Sequence, residues 1–176
     1  MKKIQMTAVF LAVLLLFSAC GDKDSSDEQT NTSLSGIQST DILGNAIDDS
    51  VFSSHDLTMV NFWSITCPPC IREMPDLALL NDAYDNFQVV GVVLNISEEN
   101  MEQLPGVLEI VSQTGAHYTH LAVSESLREA KTKHIQYVPE TIFVDSKGNQ
   151  VGVSYVGAKS YEAWDAIIQS LLDELK

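Results

Sequence analysis

Two short, mostly apolar segments dominate the hydrophobic pattern of this chain. Residues 59–62 and 89–94 have the apolar character of strands that are buried on both faces of a sheet. Between them, apolar side chains recur at steps of three and four residues, which predicts a helix packed on that sheet. The helical positions are Cys70, Met74, Leu77, Leu80, Tyr84 and Phe87. The order strand, helix, strand predicts a crossover unit with parallel strands.

The next part of the chain has a weaker pattern. Residues 97–114 have a helical periodicity that Pro105 and Gly106 interrupt. Residues 121–123 are a short strand candidate, and residues 126–133 predict a weak helix.

The last part contains a hairpin and a helix. Residues 141–144 and 151–156 are strand candidates on either side of a turn-rich segment at residues 145–149. An amphipathic helix follows, with apolar positions at Trp164, Ile167, Ile168, Leu171, Leu172 and Leu175. We therefore expect residues 36–176 to form one α/β domain, without an internal repeat or a second domain.

The beginning of the chain has the order of an export signal. Two lysines precede an apolar run at residues 8–17, and small residues follow at positions 18 and 19. The run has about 10 residues, whereas a helix that spans a membrane needs about 20. We expect residues 1–19 to be a cleaved signal peptide.

The segment Phe17-Ser18-Ala19-Cys20 resembles the bacterial lipobox, although Phe17 stands where Leu is usual. The resemblance implies that Cys20 receives a lipid and becomes the mature N-terminus. The alternative is a cysteine that lies by chance beside an ordinary cleavage site. Residues 20–35 are acidic and polar, with Leu34 as their one large apolar residue, so we expect a disordered linker there.

Charge and cysteine content exclude two classes of protein. The chain has 10 Lys plus Arg against 24 Asp plus Glu and a net charge of −14 at pH 7, so it lacks the clustered cations that nucleic-acid binding needs. Three cysteines in 176 residues are too few for a small fold held by disulfides. The four histidines show no ligand spacing with the cysteines, so no metal site is predicted.

The candidate chemistry lies at Cys67-Pro68-Pro69-Cys70, which follows the strand near Trp63 and opens the first predicted helix. This context makes the pair a redox candidate. The positive end of the helix dipole favours a thiolate at Cys67, which precedes the helix and is the expected nucleophile. Cys70 lies on the apolar stripe and is the expected resolving cysteine. Pro68 and Pro69 suit a first turn, where no N–H donor is needed.

Asn61-Phe62-Trp63 and Cys67-Pro68-Pro69-Cys70-Ile71-Arg72-Glu73-Met74-Pro75 resemble the thioredoxin superfamily, and within it the extracytoplasmic TlpA/ResA-type thiol-disulfide oxidoreductases. The similarity extends over most of residues 36–176. It implies a thioredoxin-like fold, with a central mixed sheet flanked by helices, an N-terminal β-hairpin around Gly44-Asn45 and a central insertion near residues 95–120.

The resemblance also implies roles for individual residues. Pro139 is expected to be cis and to face the cysteine pair, with the backbone of Val138 pairing with an extended substrate. Thr66, Pro68 and Pro69 are expected to line the same substrate surface. Without the resemblance, a trans bond would be the default.

Glu73 is the expected proton relay for Cys70, because it lies three residues further along the same side of the helix. The alternative is a solvated carboxylate on the helix surface. Cytosolic thioredoxins instead bury an Asp on the preceding strand, where this chain has Asn61.

Two residues depart from the family pattern. Thr66 stands where Trp commonly precedes the first cysteine, and Glu140 stands where Thr usually follows the cis-proline. A carboxylate at position 140 is expected to repel acidic partners or to raise the pKa of Cys67.

These features predict a membrane-tethered thiol-disulfide oxidoreductase, lipid-anchored through Cys20 to the outer face of the cytoplasmic membrane and monomeric. The resemblance implies that it reduces disulfides of exported proteins, such as apocytochrome c or a surface methionine sulfoxide reductase. It also implies a membrane electron donor of the CcdA or DsbD type. No cofactor is expected beyond the redox-active Cys67–Cys70 disulfide.

Two alternative functions stay open. A peroxiredoxin-like peroxidase usually has the pattern P-x-x-x-T-x-x-C, whereas Val60 and Ser64 hold those places here. A non-catalytic binding lipoprotein of the thioredoxin fold would use the disulfide only as a structural link.

Overall fold

The computed structural model describes residues 32–176, so the predicted signal peptide and Cys20 lie outside the described residues. Within this range the elements follow in the order β1 (Gln38–Thr40), β2 (Ala46–Asp48), β3 (Leu57–Trp63), α1 (Pro68–Ala83), β4 (Phe87–Ser97), α2 (Leu104–Thr114), β5 (Thr119–Val123), α3 (Glu125–Ala130), β6 (Glu140–Asp145), β7 (Gln150–Val156) and α4 (Tyr161–Glu174). Short 3-10 helices lie at Asp49–Phe52 and Thr132–His134. None of the helices in the described range is long and apolar enough to cross a bilayer.

The central sheet has five strands in the order β5-β4-β3-β6-β7. The pairs β3–β4 and β4–β5 are parallel, whereas β3–β6 and β6–β7 are antiparallel. The strands β1 and β2 form a separate antiparallel hairpin, whose turn contains Gly44 at φ +87°. The predicted mixed sheet and N-terminal hairpin are confirmed.

The hairpin covers the β5 edge of the sheet. Ser39 Oγ donates a hydrogen bond to the carbonyl of Ala122 (2.8 Å), and the amide of Ile42 donates to the carbonyl of His120 (3.0 Å). These bonds use backbone groups that an exposed edge strand would leave unpaired. The hairpin therefore pairs with backbone groups of β5 at this edge of the sheet.

All seven residues of β3 are buried, which accounts for the continuous apolar run in the sequence. One face of the sheet packs Val60, Phe62 and Ile142 together. The other face packs Trp63 with Cys67, Cys70 and Met74. The cysteine pair is thus part of a core cluster.

The prediction of a helix over residues 97–114 is wrong for the first half of that range. β4 continues to Ser97, and residues 98–103 form turns in which the amide of Ser97 donates to the carbonyl of Asn100 (3.0 Å). α2 begins only at Leu104, and Pro105 lies in its first turn. The proline marks the start of the helix because the first turn needs no N–H from it. The weak helix predicted over residues 126–133 is also shorter, because α3 ends at Ala130.

The domain begins earlier than the predicted boundary at Gly36. Leu34 is fully buried, and its amide donates to the carbonyl of Gly148 (2.7 Å). The amide of Gln150 donates to the carbonyl of Thr32 (2.9 Å). Residues 32–35 therefore belong to the domain, because one buried leucine and backbone pairing with the β6–β7 turn hold a polar segment in place.

Glu140 takes part in a buried ion pair with Lys131. The carboxylate lies 2.5 Å from the Lys131 ammonium, and each side chain is 9% exposed. Glu140 is paired with Phe62 across the sheet, whereas the next pair, Thr141 with Asn61, directs its side chains to the opposite face. The Glu140 charge is therefore compensated by Lys131 on the sheet face away from the cysteines, and it does not lie free beside the substrate surface as expected.

His120 is a buried neutral histidine that anchors the end of β3. Its Nδ1 accepts a hydrogen bond from Trp63 Nε1 (3.3 Å), and its Nε2 therefore donates to the carbonyl of Ala116 (2.8 Å). Burial lowers the pKa of His120 to about 4. A Cβ at Gly91 would lie 2.2 Å from the ring, so only glycine fits beside it.

We expect acid to destabilise the domain through His120. The unfolded chain binds a proton near pH 6.5 and the folded chain near pH 4, so the free energy of unfolding falls as the pH decreases between these values. The loss is at most roughly 3 kcal/mol. Urea unfolding at several pH values should show that the free energy of unfolding depends less steeply on pH in His120→Gln than in the wild type. The exposed control His134→Gln should keep the wild-type slope, and equal slopes for all three proteins would contradict the assignment.

We expect Glu140→Gln to lower the free energy of unfolding by about 3–5 kcal/mol, because it leaves the buried Lys131 ammonium without its partner. The double variant Lys131→Met, Glu140→Leu should recover most of that loss, since it removes both charges. Chemical denaturation measures these differences. Asp173→Asn breaks the exposed pair between Lys176 and Asp173 and is the matched control, with an expected effect below about 1 kcal/mol. Equal effects of the two single variants would contradict the prediction.

Candidate active site

Cys67 caps the N-terminus of α1. Its Sγ accepts a hydrogen bond from the backbone amide of Cys70 (3.3 Å), and Pro68 and Pro69 occupy the first turn. Cys67 and Cys70 form a disulfide with a Cα–Cα distance of 5.3 Å. When this bond is reduced, the amide and the positive end of the helix dipole both favour a thiolate at Cys67.

The two cysteines differ in their exposure to solvent. Cys67 is 7% exposed and Cys70 is fully buried, so a partner approaches the disulfide from the Cys67 side. The prediction that Cys67 is the nucleophile and Cys70 the resolving cysteine requires this order of access. Thr66 and Pro68 are exposed on either side of Cys67, and Pro69 is half-buried. The residues predicted to line the substrate surface thus lie around the reachable sulfur.

The loop before α1 is fixed by hydrogen bonds to its neighbours. The amide of Ile65 donates to Oδ1 of Asn95 at 2.8 Å, and the amide of Thr66 donates to Ser64 Oγ at 3.2 Å. Asn95 lies near the end of β4, so it ties the cysteine loop to the adjacent parallel strand. Nothing in the sequence singled out this asparagine, because it is distant from the motif along the chain.

The segment before β6 lies against the disulfide. The peptide bond between Val138 and Pro139 is cis, as the family resemblance implies. The carbonyl oxygen of Val138 lies 3.5 Å from Cys67 Sγ, and Pro139 is buried. The carbonyl of Pro139 accepts a hydrogen bond from the amide of Gly157 (2.8 Å). The backbone at Val138 is therefore beside the sulfur that a partner reaches.

Glu73 is buried on the side of α1 that packs on the domain, which excludes the alternative of a solvated helix carboxylate. It is 3% exposed and lies three residues after Cys70 on α1. Its Oε1 accepts from Asn61 Nδ2 (3.1 Å), and its Oε2 accepts from the amide of Lys159 (3.2 Å) and from Trp164 Nε1 (3.4 Å). Burial raises the pKa of Glu73 above its ordinary value, and the three donors oppose that rise.

Asn61 and Tyr118 complete the surroundings of Glu73. Besides its bond to Glu73, Asn61 Nδ2 donates to Thr141 Oγ1 (3.0 Å). The position where cytosolic thioredoxins carry an Asp thus supplies a donor to the glutamate here. The Tyr118 hydroxyl is buried without a hydrogen-bond partner in the described structure, and its burial together with the nearby Glu73 charge raises the pKa of Tyr118. Tyr118 therefore stays neutral.

Sequence reasoning found the cysteines, Glu73 and Pro139 but missed three groups that contact Glu73 or Asn61. Trp164 lies on the apolar stripe of α4 and was interpreted as core. Lys159 contributes its backbone amide, which has no signature in a sequence. Thr141 lies next to Asn61 because the two residues are paired across β3 and β6. Within residues 32–176, no group of three or more His, Cys, Asp or Glu side chains is arranged to hold a metal ion.

Comparison with known proteins supports the family resemblance. The thioredoxin-like domain family matches residues 46–172. Sporulation thiol-disulfide oxidoreductase A of Bacillus subtilis is 27% identical over 101 residues, which are 57% of this chain and 60% of that protein. Thiol-disulfide oxidoreductase ResA of Halalkalibacterium halodurans is 29% identical over 94 residues, which are 53% of this chain and 51% of that protein. The chain thus spans a half to three fifths of the length of these relatives.

A solved structure extends the similarity over nearly the whole domain. The thiol:disulfide interchange protein of the thioredoxin family from Chlorobium tepidum has a TM-score of 0.67 and 26% sequence identity. The superposition covers 81% of this chain and 97% of that chain. The family match covers most of the sequence, and the mixed sheet flanked by helices agrees with the predicted fold. This chain therefore belongs to the thioredoxin-like family.

Proposed function

We propose that this protein is a thiol-disulfide oxidoreductase that reduces disulfide bonds of exported proteins. The observation that carries the proposal is the disulfide at the start of α1, where Cys67 Sγ accepts the Cys70 amide and lies 3.5 Å from the Val138 carbonyl. A sulfur that caps a helix, is partly exposed and lies beside the Val138 backbone is suited to exchange with an extended, disulfide-bearing chain. The names of the two relatives, both thiol-disulfide oxidoreductases, support the same reaction class.

The reaction proceeds in two exchanges. The Cys67 thiolate attacks one sulfur of the partner disulfide, forms a mixed disulfide and releases the other partner sulfur as a thiolate. Cys70 then loses its proton and attacks Cys67 Sγ, which restores the Cys67–Cys70 bond and releases the second partner sulfur. The partner gains two electrons and two protons and becomes a dithiol. An external dithiol must then reduce the Cys67–Cys70 pair before the next cycle.

Glu73 is positioned to take the proton from Cys70. Cys70 is fully buried, so water has little access to its thiol. Glu73 lies one helical turn away, and burial raises its pKa above the ordinary value, which favours acceptance of a proton by the carboxylate. Pro139 and Val138 supply the backbone surface that aligns the partner chain.

The location and partners of the protein are part of the same proposal. The leader at residues 1–19 and the lipobox-like segment ending at Cys20 support export and attachment to the outer face of the cytoplasmic membrane. A membrane electron donor of the CcdA or DsbD type would then recharge the pair. Clients would include proteins such as apocytochrome c or a surface methionine sulfoxide reductase. The protein would act as a monomer.

The proposal predicts that Cys70→Ser traps partners through Cys67. Without the resolving thiol, the mixed disulfide accumulates, and non-reducing electrophoresis with mass spectrometry should identify the linked proteins. Cys67→Ser with Cys70→Ser is the matched control and should trap none. Failure of Cys70→Ser to trap any protein in cells where it is abundant would contradict the proposal. Hydrogen peroxide consumption by purified Cys70→Ser would instead favour a peroxidase.

The role of Glu73 predicts that Glu73→Gln slows resolution of the mixed disulfide and removes a loss of stability at higher pH. Resolution of the mixed disulfide should become about 100-fold slower, because the proton acceptor is lost. The raised pKa means that the free energy of unfolding decreases as the pH rises above the ordinary Glu range, so Glu73→Gln should remove this decrease.

Stopped-flow tryptophan fluorescence measures the first effect of Glu73→Gln, and denaturation at several pH values measures the second. Glu102→Gln, at an exposed position, is the control and should change neither quantity. Unchanged resolution by Glu73→Gln would exclude the proton role and leave exchange by the cysteines intact.

A further inference from the structure

Lys159 makes two separate contacts around the buried Glu73. It lies in the loop between β7 and α4, where its backbone amide donates to Glu73 Oε2 (3.2 Å). Its ammonium lies 5.4 Å from the ring centre of Trp164 and 5.5 Å from that of Tyr155. Trp164 in turn donates its Nε1–H to the same Glu73 oxygen (3.4 Å). The indole ring is therefore shared by the carboxylate at its edge and the ammonium over its face.

This arrangement keeps a positive charge near Glu73 without direct contact. In the described part of the chain, no ion pair within 4 Å joins Lys159 to Glu73, whereas the buried carboxylate of Glu140 has Lys131 at 2.5 Å. A tight ion pair would hold Glu73 ionised and make it a poor partner for reversible proton transfer. A nearby ammonium, held on two aromatic faces, attracts the carboxylate more weakly.

The other groups around Glu73 are neutral. Asn61 from β3 donates an amide hydrogen, and Trp164 from α4 donates its indole hydrogen. Tyr118, which precedes β5, is buried and neutral. Cys70 precedes Glu73 on α1. Among these described neighbours, Lys159 is the one with a full positive charge, and its attraction lowers the pKa of Glu73 against the effect of burial.

We propose that Lys159 is a positioning residue for Glu73, and that its ammonium, held over the Trp164 and Tyr155 rings, extends to lower pH the range in which Cys70 resolves mixed disulfides. This inference rests on the proposed role of Glu73 as proton acceptor. The charge of Lys159 and its backbone amide act separately, because a substitution of the side chain leaves the amide in place. The charge can therefore be removed while the hydrogen bond to Glu73 is kept.

The test compares three lysine variants in the full-length protein. Lys159→Met removes the charge and keeps an unbranched stem over the two rings. Lys159→Arg keeps the charge and the ring contact. Lys147→Met removes the same charge from the exposed turn between β6 and β7 and is the matched control. The rate of mixed-disulfide resolution is measured against pH, and the Glu73 carboxyl is titrated by carbon-13 NMR.

We expect Lys159→Met to shift the acid limb of the rate profile to higher pH. Below the midpoint of that limb, the rate should fall roughly three- to tenfold, whereas it should be unchanged on the plateau above. The NMR titration should move in the same direction. Lys159→Arg and Lys147→Met should follow the wild-type profile. A variant that only loosened the domain would lower the plateau and leave the midpoint in place.

The inference is overturned if the profile of Lys159→Met overlies that of the wild type or if Lys147→Met shifts it equally. Glu73→Gln separates this failure from failure of the proposed proton role. If Glu73→Gln keeps the wild-type acid limb, the limb does not belong to Glu73, and both ideas are contradicted. If Glu73→Gln abolishes the limb and Lys159→Met leaves its midpoint unchanged, only the role of Lys159 is contradicted.

Discussion

The junction between β3 and α1 is the constraint on which the rest of the site depends. β3 is buried along its whole length, and its last residue, Trp63, is held by His120 from β5. The chain then turns within four residues, tied to β4 through Asn95, so that Cys67 caps α1. The helix can direct its free amide at the sulfur only because the strand end and the loop are both fixed. The core therefore positions the reactive atom directly.

Two of the buried carboxylates, Glu73 and Glu140, have opposite surroundings. Glu140 is neutralised by Lys131 at 2.5 Å, on the sheet face away from the cysteines. Glu73 accepts three N–H donors, and the Lys159 ammonium lies over the ring of one of them, Trp164. A paired carboxylate keeps its charge, whereas one stabilised mainly by neutral donors can gain and lose a proton more readily. The contrast fits a structural role for Glu140 and a chemical role for Glu73.

The sequence predicts those features that depend on local pattern. The apolar runs predict β3 and β4, the three- and four-residue spacing predicts α1, and the C-x-x-C motif at a strand-to-helix junction predicts the reactive pair. The family resemblance adds the cis bond before Pro139. Each of these signals lies in the order of residue types along the chain, so no knowledge of packing is needed to recognise it.

The features that escaped prediction depend on register and packing. Which face Glu140 occupies follows from its pairing with Phe62, and its partner Lys131 lies nine residues away in a loop. Leu34 looks like an isolated apolar residue in a polar linker until the β6–β7 turn pairs with its backbone. Pro105 resembles a helix breaker although it lies in the first turn of α2. The order of residue types along the chain does not show which segments pack together, so it does not predict these contacts.

The reduction potential of the Cys67–Cys70 pair tests the central claim most directly. Equilibration of the purified protein with dithiothreitol or glutathione buffers of known potential, followed by thiol counting, gives this value. A reductant of exported disulfides should have a potential near that of thioredoxin, about −270 mV. A value above about −150 mV, close to the strong oxidant DsbA, would contradict the account, because electrons would then flow from the partner to this protein.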